Sequence, residues 1–185
     1  MLTRKVKDLM NRNIVYGPWT HRMSLDDFYD RANQYLTAIT TRQKSLSSAY
    51  KIFRAGKVIH PNQYKRTMNL MYKIGEPIQE FCQLLETPAE LPDDVIPLRY
   101  LLATALYTLD EQVNELMPRV TKFHASGRAH SKKTIRHCQD IQWGLRRLIK
   151  GCEEVKEEYN NLAKRLLSRA KIPDRLDTII AVSYS

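Results

Sequence analysis

No Asp or Glu occurs between Arg31 and Gly75, forty-five residues of a chain that holds twenty acidic residues in all. A stretch without carboxylates cannot neutralise its own bases, so its surface keeps one sign. Glycine is scarce, at six in 185 residues, which argues against sheet-rich turns and against a glycine loop cradling a phosphate. No apolar run approaches the roughly 20 residues needed to cross a bilayer. Met1-Leu-Thr-Arg-Lys5 begins basic but has no apolar stretch after it, so no secretory signal is read. Cysteine is limited to Cys82, Cys138 and Cys152, spaced unlike any zinc or redox motif. Cys138 and Cys152 lie fourteen residues apart on one expected helix, roughly 21 Å and beyond disulfide reach. They read as small core residues.

Catalytic signatures are missing as well. The five histidines form no HExxH pair, and His130 and His137 have no carboxylate at ligand spacing. There is no GxxxxGK[ST] loop, no GxSxG elbow and no Glu-x-x-His pair of the kind that builds di-iron bundles. Glu153, Glu154, Glu157 and Glu158 alternate with Lys156 and read as a solvated helix face. The expectation is a protein without catalytic residues, metal or cofactor.

Charge is what the chain does have. Arg31 to Gly75 carries nine bases; Glu76 to Pro118 carries nine acids against Arg99; Arg119 to Gly151 carries nine bases against Asp140. With a formal net charge of +10, surfaces of one sign point first to a polyanion partner. Pairing of the basic blocks with the acidic one is the plain structural alternative. It cannot absorb the excess, and exposed pairs contribute only about 0–1 kcal/mol each.

The apolar pattern is helical throughout. Leu25, Phe28, Ala32, Tyr35, Ile39, Leu46, Ala49 and Phe53 recur at spacings of three and four, and Arg42 alone breaks their stripe. Ser24 and Asp27 resemble a capping box at its start, and Gly56 can end it. Pro61 can open a second helix carrying Tyr64, Met68, Met71, Gly75, Ile78, Cys82 and Leu85, with a bend expected at Gly75-Glu76-Pro77. A third is expected from about Val95 to Lys122, kinked or frayed at Pro118, with His124 to Ala129 as the following connection. A fourth, about Ser131 to Ala170, has Cys138, Leu145, Cys152, Tyr159 and Leu166 seven apart, beside the row Ile141, Leu148, Val155 and Leu162. Gly144 and Gly151 share that period, so a neighbouring helix can approach closely there.

Four helices with heptad-like stripes and short connections define an all-α four-helix bundle. It is expected over residues 24–172, preceded by an extended basic arm, 1–23, and followed by a short tail, 173–185, which ends in the apolar run Ile179-Ile-Ala-Val182.

The candidate nucleic-acid-binding residues fall into three groups. The arm supplies Arg4, Lys5, Lys7, Arg12, Tyr16, Trp19 and Arg22. The first two helices supply Arg42, Lys44, Lys51, Arg54, Lys57, Lys65, Arg66 and Lys73. The start of the fourth supplies Lys132, Lys133 and Arg136, where cations oppose the helix dipole by about 0.3–1 kcal/mol each and a phosphate would relieve them. Tyr50, Tyr64 and Tyr72 interleave with the bases, and at helical spacing such aromatics read first as core. With no zinc finger, RNP motif or compact helix-turn-helix, binding is expected through phosphates without sequence preference.

A basic arm holding Tyr16-Gly17-x-Trp19, preceded by Arg4, Lys5, Lys7 and Arg12 and followed by a four-helix bundle, resembles the major coat proteins of filamentous and rod-shaped archaeal viruses, the lipothrixvirus and rudivirus group. Pro18 within the element and the three cysteines depart from a simple match. The resemblance implies a virion protein that wraps linear double-stranded DNA and holds it in the A form. It also implies a helical assembly of the chain with itself or with a paralogous second coat protein, in a particle that can carry a lipid envelope. It would lay the arm along DNA and make the carboxylate-free helices an inner wall.

Three other readings compete. An RNA-virus nucleocapsid would prefer single-stranded RNA. A membrane-acting or adaptor bundle would set its basic face on anionic lipid, with Leu2, Val6, Leu9 and Met10 as a short amphipathic helix. A plain interaction module would dock its acidic helix on a partner's basic face.

Overall fold

A computed structural model describes residues 22–54, 59–126 and 132–170, with side chains described for all of these except 123–126, 132–134 and 169–170. Within them the chain forms four long helices: α1, Leu25–Arg54; α2, Pro61–Glu86; α3, Ile96–Ser126; and α4, Lys132–Ala170. A 3-10 turn, Asp93–Val95, leads into α3.

Local chemistry sets most helix ends. The Ser24 hydroxyl accepts from the Asp27 N–H at 3.1 Å, and Asp26 and Asp27 in the first turn suit the positive end of the dipole. Lys51 and Arg54 suit its other end. At α2, His60 is the cap: its Nδ1 accepts from the Asn62 N–H at 3.3 Å, while the Gln63 side-chain Oε1 accepts from the His60 N–H at 3.1 Å. Pro61, with no N–H to satisfy, occupies the first turn. Two prolines sit inside helices. Pro77 is buried in α2 and Pro118 is exposed in α3.

Pro118 corrects the expected end of the third helix. α3 continues eight residues past it to Ser126, so 124–126, expected in the connection, are helix. Val120, fully buried beyond the proline, gives the continuation a packing reward. The exposed Pro118 costs one backbone bond and leaves the apolar stripe in register.

Side-chain contacts fix the arrangement. Phe53 meets Tyr64 at 5.4 Å between ring centroids and Tyr35 meets Phe81 at 5.8 Å, so α1 and α2 are antiparallel. Thr121 reaches Met68, and Gln79 reaches Asp110, which makes α3 antiparallel to α2. Gly144 faces Leu116 and Gly151 faces Leu109, which reverses α4 on α3. Gln43 donates to the Ile149 carbonyl at 3.4 Å, and Tyr159 lies beside Tyr29, so α4 closes back on α1. Each helix therefore packs on two neighbours in an up-down-up-down square.

The core runs the length of the square, with Phe28, Ile39, Phe81, Leu102, Leu109, Leu145 and Tyr159 among its buried members. The expected stripes all face it, and the two heptad rows of α4 are buried except for half-buried Cys138. Phe81 lies in the middle, touching Tyr35 on one side and Tyr159, across the diagonal, at 6.3 Å on the other. No disulfide joins the three cysteines.

Met23 pairs with the loop after α2. Its N–H donates to Pro88 O and its carbonyl accepts from Glu90 N–H, both at 2.9 Å. Met23, just before α1, is thus anchored where α2 ends and α3 begins.

Candidate nucleic-acid interface

Hairpin topology converts charge blocks along the chain into charged ends of the molecule. The α1–α2 and α3–α4 connections lie at one end of the square; the start of α1, the α2–α3 connection and the finish of α4 lie at the other. Helix residues 40–54, 61–73, 112–126 and 132–150, the half nearest the first end, hold fifteen Lys and Arg against Glu115 and Asp140. The opposite half, with its connection 87–95, holds fifteen acids against six bases. The bundle is electrically polar along its axis.

The basic half is not neutralised from within. The described ion pairs are Arg147–Glu115 at 3.2 Å, Lys150–Glu154 at 3.3 Å and Arg165–Asp94 at 2.7 Å. None involves α1 or α2. Among the described residues, Arg42, Lys44, Lys51, Arg54, Lys65, Arg66 and Lys73 have no carboxylate partner. Among the described residues, the pairing of basic helices with the acidic third helix is seen at Arg147 with Glu115.

These seven bases do not share one face. Arg42, Arg66 and Lys73 line an open groove of about 500 Å³ along the outer α1–α2 surface, together with Ser45, Ser48, Ala49, Ile52, Gln63, Thr67, Asn69 and Leu70. No carboxylate is among its walls. Arg42, the residue that breaks the apolar stripe of α1, is half-buried at the groove edge, and its Nη1 donates to Ala38 O at 2.9 Å. Lys44 and Lys51 stand one heptad apart on a separate exposed stripe of α1, and Lys65 is exposed on α2 outside the groove wall. Arg54 is exposed at the last position of α1.

The remaining predicted residues are dispersed. Lys132 and Lys133 open α4, as the dipole argument requires, and Arg136 is exposed in its second turn. Arg22 is exposed beside Met23 and thus at the acidic end, apart from the other bases. Arg4, Lys5, Lys7, Arg12, Tyr16, Trp19 and Lys57 lie outside the described residues, as does the tail 173–185.

The aromatics divide. Tyr64 is buried and Tyr50 is half-buried against the core, whereas Tyr72 is 61% exposed. Trp143, 56% exposed on α4, was not singled out by its spacing. The Arg147 guanidinium lies 4.8 Å from its ring centroid and bridges on to Glu115. The feature that distinguishes Trp143 in sequence is its place outside both heptad rows.

Neither family models, nor characterised proteins, nor solved structures give a match to this chain. Its interface is therefore read from its own chemistry. Groups with displaced proton affinities are buried in the core. Burial first, then the Cys138 thiol 3.6 Å away, pushes Tyr64 above the ordinary tyrosine range. Burial, with Tyr29 and Asp30 alongside, does the same to Tyr159. Burial, aided by the Glu153 charge, pushes Cys152 up to about 12. Each favours an inert, neutral group. Among the described residues no cluster of three His, Cys, Asp or Glu could hold a metal, and no helix is long and apolar enough to cross a membrane.

Proposed function

We propose that this chain is a structural coat protein of a virion. In this reading it binds double-stranded DNA through sequence-independent phosphate contacts and assembles, with its own copies or a paralogous second coat protein, into a helical filament. The observation that carries the reading is the half-bundle with fifteen bases against two acids, whose α1 and α2 cations have no carboxylate partner among the described residues.

Such a surface is costly to the isolated protein and favourable against a polyanion. Each phosphate neutralised by Lys or Arg releases condensed counterions, which supplies affinity without reading bases. Long side chains on helix surfaces suit that task, because a coat must cover every sequence of a genome. The acidic opposite half repels DNA and so orients the bundle, basic half inward. The resemblance of the Tyr16-Gly17-x-Trp19 arm to filamentous archaeal virus coats supplies the viral context and the A-form duplex.

Binding of the purified chain to unrelated duplexes across a salt series, with imaging of the mixtures, tests the proposal. The expected result is sequence-indifferent binding whose logarithm falls linearly with log salt, with slope about −0.9 per phosphate engaged, together with filaments or nuclease-protected DNA. Absence of binding at low salt by a folded bundle would overturn it. Exposed Tyr72 and Trp143 could stack on unpaired bases, which favours an RNA nucleocapsid as the second reading; tighter binding of single-stranded RNA than of duplex DNA would select it.

A further inference from the structure

We propose that the α1–α2 groove is the seat of a single phosphodiester strand, one backbone of the duplex, and that the other α1–α2 bases supply only diffuse attraction. This deepens the packaging reading and rests on it.

The groove walls run from Arg42 to Ile52 on α1 and from Gln63 to Lys73 on α2, eleven residues each, a rise of about 15 Å. A volume of about 500 Å³ spread over that length makes a narrow open channel. That admits one sugar–phosphate chain and excludes a duplex, so a duplex would lay one strand into it.

The donors in the walls suit such a chain. Arg66 and Lys73 are one heptad apart on the same wall, about 10 Å. Arg42 faces Lys73 across the groove, by the antiparallel register that pairs Phe53 with Tyr64 and Tyr35 with Phe81. Arg42 spends one N–H on Ala38 O and keeps four. The Gln63 oxygen is held by the His60 N–H, which leaves its NH2 to donate at the rim. Ser45 and Asn69 add neutral donors. Non-bridging phosphate oxygens accept from all of these, and the apolar floor of Ala49, Ile52 and Leu70 offers sugar carbons a surface. A carboxylate peptide would share the attraction. Its charges, however, alternate with backbone N–H donors, and a channel whose walls carry donors and no carboxylate offers those little.

The test compares two charge-matched double variants, Arg66→Gln with Lys73→Gln in the groove and Lys44→Gln with Lys51→Gln on the neighbouring stripe. Binding is measured to a labelled random-sequence duplex and to poly-glutamate, and far-ultraviolet circular dichroism confirms that each is folded. The groove pair should weaken duplex binding about tenfold or more and make the salt slope shallower by about 1.8, two phosphates' worth. The stripe pair should do clearly less. A third variant, Asn69→Glu, puts a carboxylate into the channel and should weaken binding further. Equal losses from both pairs would overturn the groove and leave the packaging reading standing. Loss of poly-glutamate binding with duplex binding intact would assign the groove to an acidic peptide and also overturn it. Failure of the unaltered protein to bind duplex would remove the packaging reading itself.

Discussion

Arg99 is the single base in the acidic block, and its side chain is almost fully buried. It donates from Nε to Leu85 O at 3.1 Å and from Nη2 to Leu85 O and, at 2.8 Å, to Thr87 O. These are carbonyls at the finish of α2, which have no helical partner and carry the negative end of the dipole. A guanidinium there caps α2 from α3, a structural duty, and the residue is not part of the basic surface. Arg99→Met keeps the stem and removes the donors, so unfolding in urea should show a loss of about 2–3 kcal/mol with DNA affinity unchanged. The glycines of α4 give a second case. A methyl at Gly151 would stand 2.9 Å from Leu109 Cδ1 and 3.0 Å from Gln112 Oε1, and one at Gly144 would stand 2.6 Å from Leu116 Cδ1. The seven-residue period of the two glycines was visible in sequence; that α3 supplies the close neighbour was not. Gly151→Ala meets the ends of flexible side chains and gains helix propensity, so these offset. Gly151→Leu has no such escape and should cost about 1–3 kcal/mol or more, read as a lower thermal midpoint.

Among the helices, legibility followed packing. The stripes of α1, α2 and α4 placed their limits within a residue or two, because buried Leu, Ile, Phe and Tyr leave one way for each helix to face the core. Pro118 misled because a proline signals a break only where tertiary contacts do not reward continuation, and Val120 does reward it. The buried heptad positions also carry a pH signature. Cys152, a fully buried member of the α4 rows, has its thiol pushed up to about 12, against an unfolded value near 9. A group raised on folding holds its full stabilisation below the unfolded pKa and loses it as pH climbs toward the folded one. Above about pH 9 the protein should therefore lose, through Cys152 alone, about 1.4 kcal/mol per pH unit up to about pH 12, read as a falling urea midpoint. Tyr64 and Tyr159, raised in the same sense, steepen the loss above about pH 10. Cys152→Ala should move the onset from near pH 9 to near pH 10.

Across the whole molecule, the sign blocks of the sequence become meaningful only when folded. Nine bases, nine acids and nine bases in succession look like material for internal neutralisation. The antiparallel square instead sends both basic blocks toward one end, because each reversal of chain direction falls within a block of one sign and the sign changes in mid-helix. The groove was beyond reach of the sequence for a related reason: which bases share a wall depends on how α1 and α2 are rotated against each other. The axial separation has a measurable consequence for the free protein. Fifteen like charges in one half repel over the roughly 10 Å Debye length at 0.1 M salt, and more strongly in dilute buffer. Three exposed or partly exposed ion pairs, worth about 0–1 kcal/mol each, weaken with salt in the opposite sense. Repulsion outweighs them, so added salt should stabilise the unbound bundle. Raising sodium chloride from about 0.01 M to about 0.3 M should lift the thermal midpoint by about 2–4 °C, on the order of 1 kcal/mol for a chain of this size. The same change should loosen DNA by several orders of magnitude if six or more phosphates are held. Opposite signs of the two salt effects are expected only if the basic half repels itself in the free state and is neutralised in the bound one. A midpoint that falls with salt would mean that the basic half is satisfied within the bundle.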